Sequence, residues 1–346
     1  MKSPANLLAF FVFMIFVSVQ EVKSETIQFQ LEAPDFDRWM YPYNASPGFR
    51  EVAPTFSSVG SGFDIFDDRD GQILLGFITQ NAVDSGLGSQ SYQINSLTIN
   101  LTLSVDGIRY DPTVDAWDTY VPNGEFEDED EGRPLELFGA AFRGDYDGWS
   151  FGETGSFPMG AVRRERNAYP VVFADSGEAI DVSNSVLDEF TPQPFAVGTT
   201  GGIHPGSPMP SETVLSFEVD VTDPNIQCYL RNSLNDGLLN FVVNSLHEAT
   251  QPGFRNVSGL IYPVFHMKES LAVYYGLADA GQCFMEVTID ENPTQSEDIN
   301  GDGAVTIADL LLLIGDWGVC YCCPSDINGD SEVDISDLLA LISAWS

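Results

Sequence analysis

Basic side chains are scarce in this sequence: 14 Lys and Arg face 52 Asp and Glu, and histidine appears three times, giving a formal net charge of -38. Binding to a phosphate backbone rests on Lys and Arg that release its counterions, so the deficit excludes nucleic acid as a partner. It also makes a self-repelling surface that cations or salt must screen. Long apolar runs are missing too. The longest, Leu7 to Val19, is short of the ~20 residues that span a bilayer. With Lys2 ahead of it and Val22-Lys23-Ser24 behind, it has the layout of an export signal cut before Glu25. The expected mature chain is secreted, extracellular or at the cell surface, without a transmembrane anchor.

Five cysteines are an odd number for an exported chain, so disulfides with one thiol left over are expected. Cys228 with Cys283 is the first pair to consider. The three histidines, His204, His247 and His266, have no metal-protease spacing and are read as ordinary loop or strand residues.

What the sequence does have is alternation. Leu97, Ile99, Leu101, Leu103 and Val105 are separated by Thr98, Asn100, Thr102 and Ser104, the period of a half-buried strand. Leu215, Phe217, Val219 and Val221 repeat it. Shorter candidates are Ile73–Thr79, Val171–Phe173, Leu238–Val243, Leu271–Tyr275 and Phe284–Ile289. Gly, Pro, Asn and Asp lie between them rather than long amphipathic helices. The expected fold is mainly β, a jelly-roll-like β-sandwich over residues 25–290. Within it, Glu125 to Glu131 packs six acids into seven positions and reads as a solvated loop. Residues 291–297 are a polar linker.

The segment 298–346 differs in kind. Asp298, Asn300, Asp302, Thr306 and Asp309 put side-chain oxygens at positions 1, 3, 5, 9 and 12 of a loop with Gly303 and Ala304 at 6 and 7. That is the spacing of an EF-hand calcium loop, in which position 7 lends its carbonyl. Twenty-eight residues on, Asp326, Asn328, Asp330, Glu332, Asp334 and Asp337 repeat the pattern. The helix behind the loop repeats as well: Leu310, Leu311, Leu313, Ile314 and Trp317 return as Leu338, Leu339, Leu341, Ile342 and Trp345. The two apolar faces are expected to bury each other. Nine carboxylates with no Lys or Arg from Asp298 to Ser346 imply that cation binding and folding are coupled.

A duplicated calcium loop, each copy with a single outgoing helix and no incoming one, resembles a type I dockerin over Asp298 to Ser346. The resemblance implies two Ca2+ ions and docking to a cohesin-like protein or cell-surface scaffold. It also implies that Ile307, Ala308, Ile335 and Ser336, at loop positions 10 and 11, bind the partner. These pairs are not the Ser-Thr type of the best-known members, and Ser331 replaces glycine in the second loop. Cys320, Cys322 and Cys323 join the repeats. No fourth Cys or His is near enough to complete a zinc site, so a Cys320–Cys323 disulfide is expected, with Cys322 free.

Asp35–Tyr43, Arg69–Thr79, Tyr92–Val105, Val219–Thr222, Tyr229-Leu230 and Asn235–Leu239, taken in order, resemble the DNRLRE-type β-sandwich modules. Members are non-catalytic jelly rolls on secreted polysaccharide-active proteins. The resemblance covers both ends of residues 35–245 and leaves Asp106–Glu212 as an insertion. Trp39, Tyr41 and Tyr43, which alternate, and Trp149 in a glycine-rich loop are the candidate sugar-binding rings. Arg163-Arg164-Glu165-Arg166 is the one basic cluster, expected to pair with local carboxylates. A polysaccharide hydrolase or lyase with the same tether is the alternative function, and a cell-surface structural protein that binds no sugar is the second. Gly148-Trp-Ser150-Phe-Gly152 matches a hydrolase nucleophile pattern, but Asp145-Tyr-Asp147 before it and Gly155–Pro158 after it form neither the strand nor the helix that chemistry needs. No catalytic residue is assigned.

Overall fold

The structure, a computed structural model, describes residues 24–42, 48–59, 66–121, 131–156, 164–174, 177–249, 261–290, 297–300, 302–320, 323–328 and 332–345. The export segment, most of the acidic run and the linker residues 291–296 lie outside them, as do Tyr43, Arg163, Cys322, Asp330 and Ser331.

Strand takes 36% of the chain and helix 17%, so the fold is mainly β, as the alternation implies. The strands that build it are β1 (Ser24–Leu31), β2 (Phe36–Met40), β3 (Arg69–Ile78), β4 (Tyr92–Thr102), β5 (Leu135–Phe142), β6 (Ala168–Phe173), β7 (Ala196–Thr199), β8 (Val214–Glu218), β9 (Leu238–Ser245) and β10 (Ala280–Asp290). They form a curled antiparallel sheet in the order β1-β10-β4-β8-β7-β5-β9-β3-β2, with β6 beside β5. The short strand β7 is where the sheet changes direction. Its first half, Ala196 and Val197, pairs with Leu137 and Glu136 of β5, and its second half, Gly198 and Thr199, pairs with Phe217 and Ser216 of β8. A Cβ on Gly198 would press on the Phe217 ring at 3.0 Å, which is why glycine stands at the crossing.

The curl encloses one large apolar core. Ile73, Leu75, Phe77, Leu137 and Phe241 from one limb belong to the same cluster as Ile99, Leu101, Phe217, Met285 and Val287 from the other. Each such side chain, wholly withdrawn from water, contributes roughly 1.5–3 kcal/mol. Strands β3 and β9 are buried on both faces. Their other face, Leu74 and Val242, packs with Met40, Ala140 and Phe151 in a second cluster. Phe151 ends a one-turn helix, Gly148–Phe151, so the segment after β5 folds back to cover that face.

Helix α1 (Pro224–Asp236) adds Ile226, Leu230 and Leu234 to the core. Its ends are written in the sequence. Asp223 accepts from the backbone N–H groups of Asn225 and Ile226, Pro224 takes the first helical position where no N–H is needed, and Gly237 stops the helix at φ 77°. The segment Leu271–Tyr275 is not a strand. Leu271–Tyr274 is a single helical turn capped by Ser270, and Leu271, Tyr274 and Tyr275 face solvent. Their apolar character does not come from burial.

The Cys228–Cys283 pair is not formed. Cys283 is a free thiol on the inner face of β10, part of the main core, and burial pushes its pKa up to about 12. Cys228 lies on the half-buried side of α1 and is disulfide-bonded elsewhere. Cys320 and Cys323 form a disulfide.

In the C-terminal segment, α2 (Ile307–Gly315) and α3 (Ile335–Ser343) follow the two loops. Val305, Leu313, Val333 and Leu341 form a small core, and Ile299, Leu310, Ile327 and Leu338 pack on it. Every one of these residues has its counterpart 28 positions away. The helices do not bury the whole apolar set. Leu311, Ile314 and Trp317, with Leu339, Ile342 and Trp345, stay between 43% and 64% exposed. A nine-residue helix has room for one buried stripe, and Leu310 with Leu313 occupies it.

Candidate functional site

The two C-terminal loops repeat in burial, position by position. Asp298 and Asp326 are half-buried, Asn300 and Asn328 exposed, Thr306 and Asp334 half-buried, and Asp309 and Asp337 fully buried. The last two are buried because each closes a capping box. Thr306 Oγ1 accepts from the Ala308 N–H at 3.2 Å, while Asp309 Oδ2 accepts from the Thr306 N–H at 2.7 Å. In the second copy Asp334 Oδ1 accepts from Ser336 N–H at 2.6 Å, and Asp337 Oδ2 from Asp334 N–H at 2.8 Å.

The other oxygen of each buried carboxylate reaches back across its loop. Asp309 Oδ1 accepts from Asn300 N–H at 3.0 Å; Asp337 Oδ1 accepts from Ile327 and Asn328 N–H at 2.8 and 3.1 Å. The Thr306 and Asn300 amides lower the Asp309 pKa and so hold its carboxylate ionised. At the front of the first loop, Asp298 accepts from Asp302 and Gly303 N–H at 3.1 and 2.6 Å, and Asp302 accepts from Ala304 N–H at 3.0 Å. Asp298, Asn300 and Asp302 are thereby turned toward one another, and Asn300 Nδ2 donates to Asp302 Oδ2 at 3.1 Å. Oxygen donors alone, carboxylate and amide, suit a hard cation. Asp298, Asn300, Asp302, the Ala304 carbonyl and Asp309 could supply one loop, and Asp326, Asn328, Glu332 and Asp337 the other. Asp330 lies outside the described residues. Ile307 and Ile335 are more than 60% exposed at equivalent places, beside Ala308 and Ser336.

The body neutralises its carboxylates differently. Arg69 forms a bidentate pair with Glu136, at 2.9 and 3.1 Å, and also donates to Asn244 Oδ1, the Val182 carbonyl and Ser185 Oγ. Burial raises the Glu136 pKa, and Arg69 opposes the rise. Arg166 pairs with Asp67 and Asp70. All of these side chains are buried. The basic cluster is thus spent on internal pairing: Arg166 as described, and Arg164 on Asp188.

The sugar-binding candidates are scattered. Trp39 is 8% exposed, donates its indole N–H to the Pro54 carbonyl at 2.8 Å, and stacks on Tyr41 at 4.9 Å between ring centroids. Both belong to the core packing and offer no platform. Trp149 is 45% exposed on the one-turn helix. Tyr274 and Tyr275, 79% and 69% exposed, were hidden in the sequence by a strand-like apolar run; they lie edge to face at 5.1 Å.

Ser150 caps its helix: its hydroxyl and its N–H both engage Asp147 Oδ1 at 2.7 Å, and no imidazole reaches it among the described residues. A second hydroxyl–imidazole–carboxylate chain exists. Ser270 Oγ is 2.9 Å from His266 Nδ1, and His266 Nε2 is 3.3 Å from Glu212. Ser270 is 4% exposed and its Oγ accepts from Ala272 N–H, so this chain latches a turn rather than presenting a nucleophile. No protein-family model matches the chain, and neither does any curated protein or solved structure.

Proposed function

We propose that the chain is an exported, two-part protein: a dockerin-like, calcium-dependent docking module carried by a jelly-roll-like β-sandwich that binds polysaccharide. The observation that carries it is the register of the C-terminal repeat. Loop oxygens, capping boxes, buried core residues and exposed helix residues all recur at one spacing of 28. A chance Asp-rich turn explains the oxygens alone. It does not explain a duplicated helix whose outward positions, Ile307, Leu311, Ile335 and Leu339, are apolar and more than 60% exposed. Exposed apolar patches of this kind mark contact surfaces, and here a cohesin-like partner covers them.

The curled sheet, with a large core between its limbs, supports the sandwich reading. The exposed rings Trp149, Tyr274 and Tyr275 are its sugar platform, with Trp39 and Tyr41 packed beneath the surface. The test has two arms on the full chain. Passed over a panel of neutral, uronic and sulfated polysaccharides, it is retained on at least one without releasing new chain ends, and Tyr274→Ala with Tyr275→Ala loses retention by about tenfold or more. Release of chain ends makes it an enzyme instead. Presented with cohesin modules in calcium, it is captured, and Ile307→Asp with Ile335→Asp abolishes capture; no capture by any cohesin refutes the docking half.

A further inference from the structure

A second acidic cluster lies in the body, far along the sequence from the C-terminal loops. Asp37, Glu153 and Glu269 each bring one carboxylate oxygen within 4.8 Å of the others. Asp37 comes from β2, Glu153 from the segment after the Gly148–Phe151 turn, and Glu269 from the segment before the Leu271–Tyr274 turn. Carboxylates gathered on a surface mean little. This group is distinguished by what its oxygens lack. Asp37 is 1% exposed; its Oδ2 accepts from Lys268 N–H at 2.7 Å, but its Oδ1 is buried with no donor. Glu269 Oε2 is also buried with no donor, and the two carboxyls lie against each other. A buried oxygen without a partner costs about 1–3 kcal/mol, and more when charged. Something positive belongs between them.

We infer that Asp37, Glu153 and Glu269 form a binding site for one hard divalent cation, separate from the C-terminal loops. Three carboxylates against one ammonium, that of Lys268 on Glu153, leave two negative charges, which one divalent ion balances. The donors are all oxygen, the preference of calcium, magnesium and manganese. A single shared proton would satisfy the Asp37–Glu269 contact but would not draw the Glu153 carboxylate, already held by Lys268, to within 4.8 Å of both. The ion ties together three segments more than 100 residues apart in sequence, two of which carry the exposed rings Trp149, Tyr274 and Tyr275.

The experiment uses the full chain with Asp298→Ala and Asp326→Ala, so that the C-terminal loops do not mask the count. Calcium, magnesium and manganese are titrated calorimetrically, and melting is recorded in EDTA and in excess ion. One equivalent of ion is expected to bind and to raise the melting temperature by roughly 5 °C. Asp37→Asn, and independently Glu269→Gln, abolish both, yet melt no lower than the parent in EDTA because they remove like-charge repulsion. A parent that binds none of the three ions overturns the site. So does binding that survives both substitutions, or a melting temperature that follows pH and ignores metal.

Discussion

Glu136 in the body and Asp309 in the C-terminal repeat are both carboxylates with almost no exposed surface, and they are held in opposite ways. Glu136 faces Arg69, a full positive charge delivered from a neighbouring part of the sheet. Asp309 faces backbone N–H groups and the Thr306 hydroxyl, and no Lys or Arg occurs anywhere in its segment. Glu136 therefore has its compensation within the sheet, in an arginine placed by strand register. On the calcium-loop reading proposed above, the repeat takes its compensation from solution, so its folding depends on the ion, whereas the Arg69–Glu136 pair does not.

The largest effect expected is therefore on the repeat. Chelation by EDTA should abolish the helical far-UV signal of α2 and α3 while the β signal of the body persists, and calcium should restore it. Retention of that helicity in EDTA would remove the contrast at once. Next in size, Arg69→Met leaves Glu136 buried without its partner and should cost about 3–5 kcal/mol in urea unfolding. The double change Arg69→Met with Glu136→Leu should recover most of it, because the damage is an orphaned charge rather than a lost attraction.

Much of this contrast was legible beforehand. The two loop-helix units were, because their residue spacing and the duplication are local and fall within one short repeat. The strands with one wet face were, because β4, β8 and β10 alternate. Helix α1 went unread although Asp223-Pro224 and Gly237 mark both its ends, since its buried positions are few and its mean character is polar. Leu271–Tyr275 reads as a strand from its β-prone residues, yet Leu271, Tyr274 and Tyr275 are exposed on a helical turn, because propensity does not report burial. The pairs Arg69–Glu136 and Arg166–Asp70 and the Asp37 cluster join residues more than 60 positions apart, and only the strand order brings them together. No spacing rule reaches that far.

The smallest effect sharpens the comparison inside the body itself, where Asp37 Oδ1 and His247 Nδ1 are among the buried atoms without a hydrogen-bond partner among the described residues. With divalent ions chelated, Asp37 has its pKa raised to about 7, by burial first and then by Glu269 against the Lys268 amide and charge. Its folded pKa exceeds its unfolded one, so the protonated form favours folding: its contribution is complete below about pH 4 and is lost as pH rises through about 7. His247 runs the other way. Burial, reinforced by Arg133, lowers its pKa to about 3, so its contribution is complete above about pH 6.5 and is lost as pH falls toward 3. The two slopes oppose each other between pH 4 and 6.5, and the unmodified chain should show a nearly flat stability there. Asp37→Asn should unmask the histidine and lose on the order of 2 kcal/mol on acidification from pH 7 to 4 in EDTA, while His247→Asn should gain a similar amount over the same range. Parallel profiles for the two variants would mean that neither group is held as described.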